Sequence, residues 1–246
     1  MKKRIGTLML VSLCALLLTG CGGTQPSGAM DGLPSTYTIA HKDAKELLNP
    51  ERDYLMVVNR YHPYDFNGEY HKQLQADLVY FPNVVDGDIM AAEKAAYLAF
   101  TSLQYDLRVN DGIEIGLYDG YRTASDQELI NQLYAEGSPG VTAQNEIGLT
   151  EHHTGLLLDY VVWHQDGGET YVWCSPTPKR IEAFPEYRVV LEKMVDYGFI
   201  NRYPTDKAEI TGIEGREFEM RFVGSAEVAH EIMDNGLCLE EYLSQR

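Results

Sequence analysis

Basic residues are scarce in this sequence, and long hydrophobic runs are absent. Lys and Arg number 20 against 37 Asp and Glu, which gives a formal net charge of −17. So acidic a balance argues against nucleic acid as a partner and against a domain that lies flat on an anionic membrane. The longest apolar run, residues 5–19, is shorter than the roughly 20 residues that a membrane-spanning helix needs. No internal repeat is visible.

The N-terminal segment has the features of an export signal. Lys2, Lys3 and Arg4 precede the apolar run, which has the length of a signal peptide's hydrophobic part. The sequence Leu-Thr-Gly-Cys ends at Cys21 and resembles a bacterial lipobox. The resemblance implies a signal peptide of residues 1–20, lipidation of Cys21, and an extracytoplasmic domain anchored to the membrane by lipid. The alternative is an ordinary secretory signal with a chance cysteine, while the short length disfavours a retained transmembrane anchor.

A tether and one domain are predicted to follow. Residues 21–36 are rich in Gly, Ser, Thr and Pro, which indicates a flexible tether. Residues 37–246 have the size of a single domain. Removal of the signal takes away three basic residues and no acidic one, so the formal charge falls from −17 to −20. Cys174 and Cys238 remain in the domain, and they either pair outside the cytosol or stay as two buried thiols.

Hydrophobic patterning predicts a mixture of strands and helices without regular alternation. Strands or extended segments are expected at residues 54–59, 113–118 and 156–162. Helices are expected at residues 88–103 with Asp88 as N-cap, from Ser125 with Glu128 completing a capping box, at 185–197 ended by Gly198, and at 226–235 ended by Gly236. This pattern favours an α+β fold, with a small, mostly antiparallel sheet and surrounding helices.

Three segments carry polar residues that core packing does not explain. In residues 118–127, Arg122 lies at a strand-to-helix bend, where it can fork onto a carboxylate or form a structural salt bridge. In residues 150–160, His152 and Asp159 are acceptable zinc ligands, although such a pair is more often a hydrogen bond. A buried, unpaired Asp159 would be costly unless a cation or an arginine lies beside it. Residues 211–224 form a charge run typical of a solvated turn or edge.

The order of these segments resembles the VanY-type D-alanyl-D-alanine carboxypeptidases. The resemblance rests on YDGYRTASDQ, TEHHTGLLLD, YGFINRYPTDKAEITGI and REFEMRFVG, and it extends over residues 53–243. It implies an α+β domain around a catalytic zinc, acting on peptidoglycan stem peptides that end in D-alanine. Matched position by position, it implies that Arg122 grips the terminal carboxylate and that Gln127 lines the same pocket. It also implies that Thr150, which replaces a serine of the family, is a third residue of this substrate-binding pocket. It also implies that His152 and Asp159 are zinc ligands.

The last segment departs from the family pattern Glu-Pro-Trp-His. An ungapped alignment on residues 221–224 puts Arg216 at the catalytic glutamate and Glu219 at the third zinc ligand. Arginine has no acceptor and cannot take a proton from the attacking water, so no catalytic residue is intact. A ligand set of His152, Asp159 and Glu219 weakens zinc chemistry and makes calcium or manganese more competitive.

Two hypotheses follow from this departure. The chain is either a carboxypeptidase with altered metal or rate, or a non-catalytic pseudoenzyme that binds wall peptides or a protein partner. The first requires Glu214 or Glu217 to supply a base, or His153 to supply a ligand. In a metal-free arrangement, Arg216 pairs with Glu219, and Asp159 is held by His152 or by a nearby cation.

Overall fold

The structure is a computed structural model, and it describes most of the predicted domain. The described residues are 48–85, 87–137, 146–166, 169–173 and 185–246, with side chains described outside 164–184. The predicted signal peptide, the tether, the lipidation site Cys21 and the cysteine Cys174 lie outside them. Cys238 is a buried, free thiol. Within the described ranges, none of the helices has the length and apolar character needed to cross a membrane.

The described residues form seven α-helices and seven strands. The helices are α1 (Glu69–Ala76), α2 (Lys94–Asp106), α3 (Ala124–Ala135), α4 (Pro185–Lys193), α5 (Ala208–Thr211), α6 (Ala226–Met233) and α7 (Leu239–Ser244). The strands are β1 (Leu78–Pro82), β2 (Ile89–Glu93), β3 (Glu114–Asp119), β4 (Leu157–Asp166), β5 (Glu169–Trp173), β6 (Phe199–Tyr203) and β7 (Arg216–Phe222). A short 3-10 turn, Glu151–Thr154, precedes β4.

The central sheet is antiparallel and contains five strands. Its order is β3-β4-β7-β6, and β5 pairs with the outer part of β4. Strands β1 and β2 form a separate antiparallel hairpin. The predicted α+β class, with a small antiparallel sheet and surrounding helices, is therefore confirmed.

One face of the central sheet packs against helices, and the opposite face carries polar groups. Alternate residues of β4, Leu158, Tyr160 and Val162, are buried in the main core cluster with Phe100 of α2 and Tyr187 of α4. Because successive strand residues point to opposite faces, Asp159 lies on the other side of the sheet from this core. The core therefore fixes which face of β4 is available for a polar site.

Two of the predicted elements are wrong in type or extent. The segment expected as a helix from Asp88 begins instead as β2, because residues 89–93 pair with β1, and the helix starts at Lys94. Glu93 is its N-cap and accepts a hydrogen bond from the backbone N–H of Ala96 at 2.9 Å. Residues 54–59 form no ladder beyond an isolated bridge at Asn59, and two of their carbonyls instead accept hydrogen bonds from the Arg221 guanidinium.

The other elements lie close to their predicted positions. Helix α3 has a capping box, but it is built from Thr123 and Asp126, two residues earlier than expected. Gly198 ends the 3-10 turn that follows α4, with a left-handed φ of 79°. The charge run of residues 211–224 is not a solvated turn, since half of it is β7, which lies between β4 and β6 with its last four residues buried.

Candidate metal centre

Three carboxylates lie at one level of the central sheet, on three adjacent strands. Asp159 of β4 is the direct cross-strand partner of Asp119 on β3 and of Glu219 on β7. Directly opposed residues of an antiparallel pair project to the same face. The sheet therefore brings together two acids expected from the sequence, Asp159 and Glu219, and one that was not expected, Asp119.

A β-bulge explains why Asp119 belongs to this group. The register of β3 against β4 shifts between Leu117 and Asp119, so that Tyr118 is an extra residue on β3. Ile115 and Leu117 face the core, and strict alternation would send residue 119 to the core as well. The extra residue reverses the alternation and turns the Asp119 side chain towards Asp159.

The 3-10 turn before β4 positions His152 beneath these acids. Thr150 is the N-cap of this turn, and its hydroxyl accepts a hydrogen bond from the backbone N–H of His152 at 3.4 Å. Gly155 ends the turn in a left-handed conformation with φ 69°, which glycine adopts without strain. Thr150 was expected in the substrate pocket; in the structure it is buried and caps the turn that carries a candidate ligand.

The hydrogen bonds of His152 identify which ring nitrogen can bind a cation. Its Nδ1 lies 2.7 Å from the backbone carbonyl of Gly120, which can only accept, so Nδ1 carries the proton. Burial, reinforced by the charge of Arg122, lowers the pKa of His152 to about 3. The ring is therefore neutral at physiological pH, and Nε2 presents a lone pair to the centre.

Buried acceptors without donors converge on this point. Within the described part of the chain, His152 Nε2 and Asp159 Oδ1 are buried and have no hydrogen-bond partner, and the same holds for Glu219 Oε2 on the neighbouring strand. His152 Nε2 lies 3.6 Å from Asp159 Oδ1. Asp119, His152 and Asp159 each offer a ligand atom, and these atoms lie within 4.8 Å of one another. Lone pairs facing one another in a buried site are unfavourable unless a proton or a cation lies between them.

The acids respond to this crowding in opposite directions. Burial, together with the neighbouring charges of Glu219 and Asp119, raises the pKa of Asp159 well above its ordinary value. Burial also raises the pKa of Glu219, against the opposing effect of Arg216. Burial would raise the pKa of Asp119 too, but the adjacent Arg122 outweighs it and the pKa is lowered. Asp159 is therefore the acid that most needs a cation or a proton.

Arg122 lies beside the centre and is tied to the same turn. Its backbone N–H donates to the carbonyl of His152 at 3.2 Å, and its own carbonyl lies 2.7 Å from Nδ1 of His153. Its guanidinium lies 3.3 Å from the side-chain oxygen of the buried Gln127. The structure thus brings Arg122 and Gln127 together, while their role in a substrate pocket stays a prediction. His153 is not available as a ligand, because its Nε2 accepts from the N–H of Gly148 at 3.1 Å.

Comparison with known proteins identifies the family of the chain. Residues 90–225 match the VanY family, D-alanyl-D-alanine carboxypeptidase. A D-alanyl-D-alanine carboxypeptidase of Enterococcus faecalis is 30% identical over 225 residues, covering 86% of this chain and 72% of the relative. The chain belongs to the VanY family.

Solved structures of relatives share the fold. VanYB in complex with D-alanine-D-alanine is 28% identical, with a TM-score of 0.55, and the match covers 78% of this chain and 97% of that one. The LD-carboxypeptidase LdcB is 27% identical, with a TM-score of 0.61 and coverage of 78% and 86%. A VanY D,D-pentapeptidase variant solved with Zn(II) is 29% identical, with a TM-score of 0.54 and coverage of 77% and 98%.

The residues of this VanY-family protein fit a divalent cation. One neutral imidazole nitrogen and buried carboxylate oxygens are donors that zinc accepts, and manganese and calcium favour the oxygens. His152 and Asp159 are the two residues whose ligand atoms lie close together and also have no hydrogen-bond partner in the described chain. Asp119 lies in the same group, whereas Glu219 is not among the residues whose ligand atoms lie within 4.8 Å of one another in the described chain.

Arg216 and Glu219 form the ion pair that the sequence suggested as a metal-free arrangement. Arg216 Nη1 lies 2.8 Å from Glu219 Oε1, and the Glu219 side chain is only 2% exposed. The pair occupies one carboxylate oxygen, Oε1, and leaves Oε2 without a donor in the described chain. Glu219 is the direct cross-strand partner of Asp159, and its alignment with the family's third ligand stays a prediction.

Asp119 is the site residue that sequence reasoning missed. The available signal was an acid at the end of an apolar strand, which is weaker than the signal of Asp159, an acid within one. Only the bulge in β3 distinguishes this acid from one that ends a strand in solvent.

Proposed function

We propose that this protein is a lipid-anchored envelope protein that binds peptidoglycan stem peptides ending in D-alanine and does not hydrolyse them. The chain is lipidated at Cys21 and held at the outer face of the membrane by the tether of residues 21–36. The observation that carries the loss of hydrolysis is Arg216, a guanidinium ion-paired with Glu219, at the position of the family's base.

The proton acceptors available in the site support this proposal. Arg216 is always protonated and offers no acceptor. Glu217, considered above as a replacement base, already accepts from the hydroxyl of Thr205 at 2.9 Å and from the side-chain amide of Asn201. A general base must lie within hydrogen-bond reach of the attacking water. These bonds hold the Glu217 oxygens towards β6 and the residue Thr205 after it, and Glu217 is not in the described group of ligand atoms around His152 and Asp159. Asp159 is in that group, but it lies where the cation binds.

The recognition elements are retained in the same region. Arg122 provides a guanidinium beside the cation site, and Gln127 supports it from α3. His152 and Asp159 would hold the cation, with Asp119 or Glu219 completing the set. A bound cation supplies positive charge that polarises a peptide carbonyl and attracts a carboxylate. The solved relative VanYB contains D-alanine-D-alanine, which supports a ligand of this class.

The test compares binding and cleavage of one peptide. The purified full chain is incubated with zinc and a synthetic pentapeptide that ends in D-Ala-D-Ala, and D-alanine release and binding heat are measured. We expect saturable binding without release, and loss of binding in Arg122→Ala and His152→Ala. Arg108→Ala is the matched control, because Arg108 is a half-exposed arginine paired only loosely with Glu114 at 3.8 Å.

Two results would contradict the proposal. Release of D-alanine that stops with chelator and in His152→Ala would show that the chain is an active carboxypeptidase. Absence of binding with zinc present, in a chain whose metal content is stoichiometric, would remove the peptide as the ligand.

A further inference from the structure

The Asp119 carboxylate is hydrogen-bonded to the Arg122 guanidinium, the group that would bind the C-terminal carboxylate of a peptide. Asp119 Oδ2 accepts from Arg122 Nη2 at 2.6 Å and from Arg122 Nε at 2.9 Å. Arg122 Nη1 lies near the Gln127 oxygen. One complete edge of the guanidinium, Nε with Nη2, is therefore taken by an internal carboxylate, and a carboxylate from outside would have to displace it.

The same carboxylate also belongs to the cation site. Asp119 offers an oxygen within 4.8 Å of the ligand atoms of His152 and Asp159. His152 and Asp159 are nearly fully buried, and His152 Nε2 and Asp159 Oδ1 have no donor within the described chain. These unpartnered atoms indicate independently that a cation belongs there. Asp119 thus lies between two positive partners, Arg122 and the cation.

The charges around Asp119 decide what happens when only one partner is present. Without a cation, Asp119 neutralises Arg122, and a ligand carboxylate arriving there would face Asp119 and Asp159. The side chains of Asp119 and Arg122 are only 13% and 15% exposed, so solvent screens this repulsion poorly. A divalent cation attracts the Asp119 oxygen and adds two positive charges, which weakens the ion pair and favours a further anion.

We propose that Asp119 gates Arg122: it closes the guanidinium to other carboxylates until a divalent cation shared with His152 and Asp159 draws it away. The inference rests on the proposed function, since the carboxylate that enters would be the end of a stem peptide. It makes Asp119 a specificity-determining residue that couples cation binding to recognition of a free C-terminus.

The first experiment measures peptide binding in the full chain with chelator and with zinc. The ligands are the pentapeptide ending in D-Ala-D-Ala and its C-terminal amide. With chelator, we expect no saturable binding of the free acid by the native chain. Asp119→Ser should bind it at least tenfold more tightly than the amide. With zinc, the native chain should gain at least tenfold in affinity for the acid. Equal affinity of both proteins for the acid in chelator would overturn the gate.

The second experiment does not depend on a peptide. The Nε–H of Arg122 is observed by nitrogen-15 NMR while acetate is added in the presence of chelator. We expect acetate to shift this signal in Asp119→Ser and not in the native chain. A shift in both proteins, or in neither, would overturn the gate. If no protein binds peptide even with zinc, the proposed function fails, and the acetate result alone decides the gate.

Two further variants control for misfolding and for the loss of an acidic group outside the site. Asp119→Asn keeps the shape of the side chain while removing its charge, and it replaces the serine variant if that fails to fold by circular dichroism. Asp111→Asn is the matched control, because Asp111 also pairs with a base, Lys193 at 2.6 Å, but lies outside the site. It should bind acetate and peptide as the native chain does.

Discussion

Glu151, the residue before His152, should be the most sensitive charged position among the described residues. Its side chain is fully buried, and its two oxygens accept from Arg202 Nη2 at 2.8 Å and Arg221 Nε at 2.9 Å. Burial would raise the pKa of Glu151, but the two arginines outweigh it and the pKa is lowered. The group is therefore a carboxylate held between two buried guanidiniums, and it connects the His152 turn to β6 and β7.

The change Glu151→Gln keeps the shape of this side chain and removes its charge. Breaking a buried ion pair by removing one partner costs about 3–5 kcal/mol, because the remaining charge stays buried without compensation. Arg202 keeps Glu240 at 2.7 Å, and Arg221 keeps the carbonyl of Tyr54 at 3.1 Å. We therefore expect the lower end, about 3 kcal/mol, which for a domain of this size lowers the melting temperature by about 6–12 °C.

The assay is urea unfolding followed by circular dichroism, with thermal melting as a second measurement. Glu240→Gln is the matched control, since Glu240 bonds the same arginine but its side chain is 15% exposed. We expect it to cost about 1 kcal/mol or less. The assignment of Glu151 as the centre of this network is wrong if the unfolding free energy of Glu151→Gln stays within about 1 kcal/mol of the native value. It is also wrong if Glu240→Gln destabilises the protein more than Glu151→Gln does.

Three other predictions concern the site and the anchor. Asp159→Asn should stabilise the cation-free protein, measured by urea unfolding with chelator. The pKa of Asp159 is raised in the folded state, so the native chain has its full stability below about pH 4 and loses part of it as the pH rises. The difference in unfolding free energy between the variant and the native chain should therefore grow between about pH 4 and 8. A constant difference would contradict the raised pKa. The double change Arg216→Glu with Glu219→His should increase zinc affinity and produce D-alanine release, and unchanged metal content would count against the alignment. Cys21→Ser should move the protein from the membrane fraction to the soluble fraction, whereas an unchanged distribution would exclude a lipid anchor.

Local sequence patterns predicted the parts of the fold that local physics determines. The alternation of residues 113–118 predicted β3, and the proline and glycine signals predicted α4 and Gly198. A capping box was expected for α3 as well, but it is built two residues earlier than predicted. The helix expected from Asp88 was wrong because Ile89–Glu93 is suited to either structure, and its pairing with β1 decides the outcome. That pairing joins two separate segments, so the pattern of either segment alone does not reveal it.

The candidate site shows the same division. His152, Asp159 and Arg122 could be chosen from the sequence because each is a polar residue in a setting that packing does not explain. Asp119 could not, because its direction depends on one extra residue in the register of β3 against β4. The burial of β7 could not be foreseen either, since its charges are neutralised by partners from other segments, such as Glu151 for Arg221.

The departures at positions 216 and 219 act as a unit rather than as two separate losses. Glu219 alone would add a third buried carboxylate beside Asp119 and Asp159, and Arg216 neutralises it at 2.8 Å. Restoring only the base, by Arg216→Glu, would therefore put four acids close together and remove the guanidinium that neutralises one of them. Restoring only the ligand, by Glu219→His, would leave the Arg216 guanidinium without its partner and close to the metal. Each single reversal should thus lose stability without gaining hydrolysis, and only the double change returns both the charge balance and a proton acceptor.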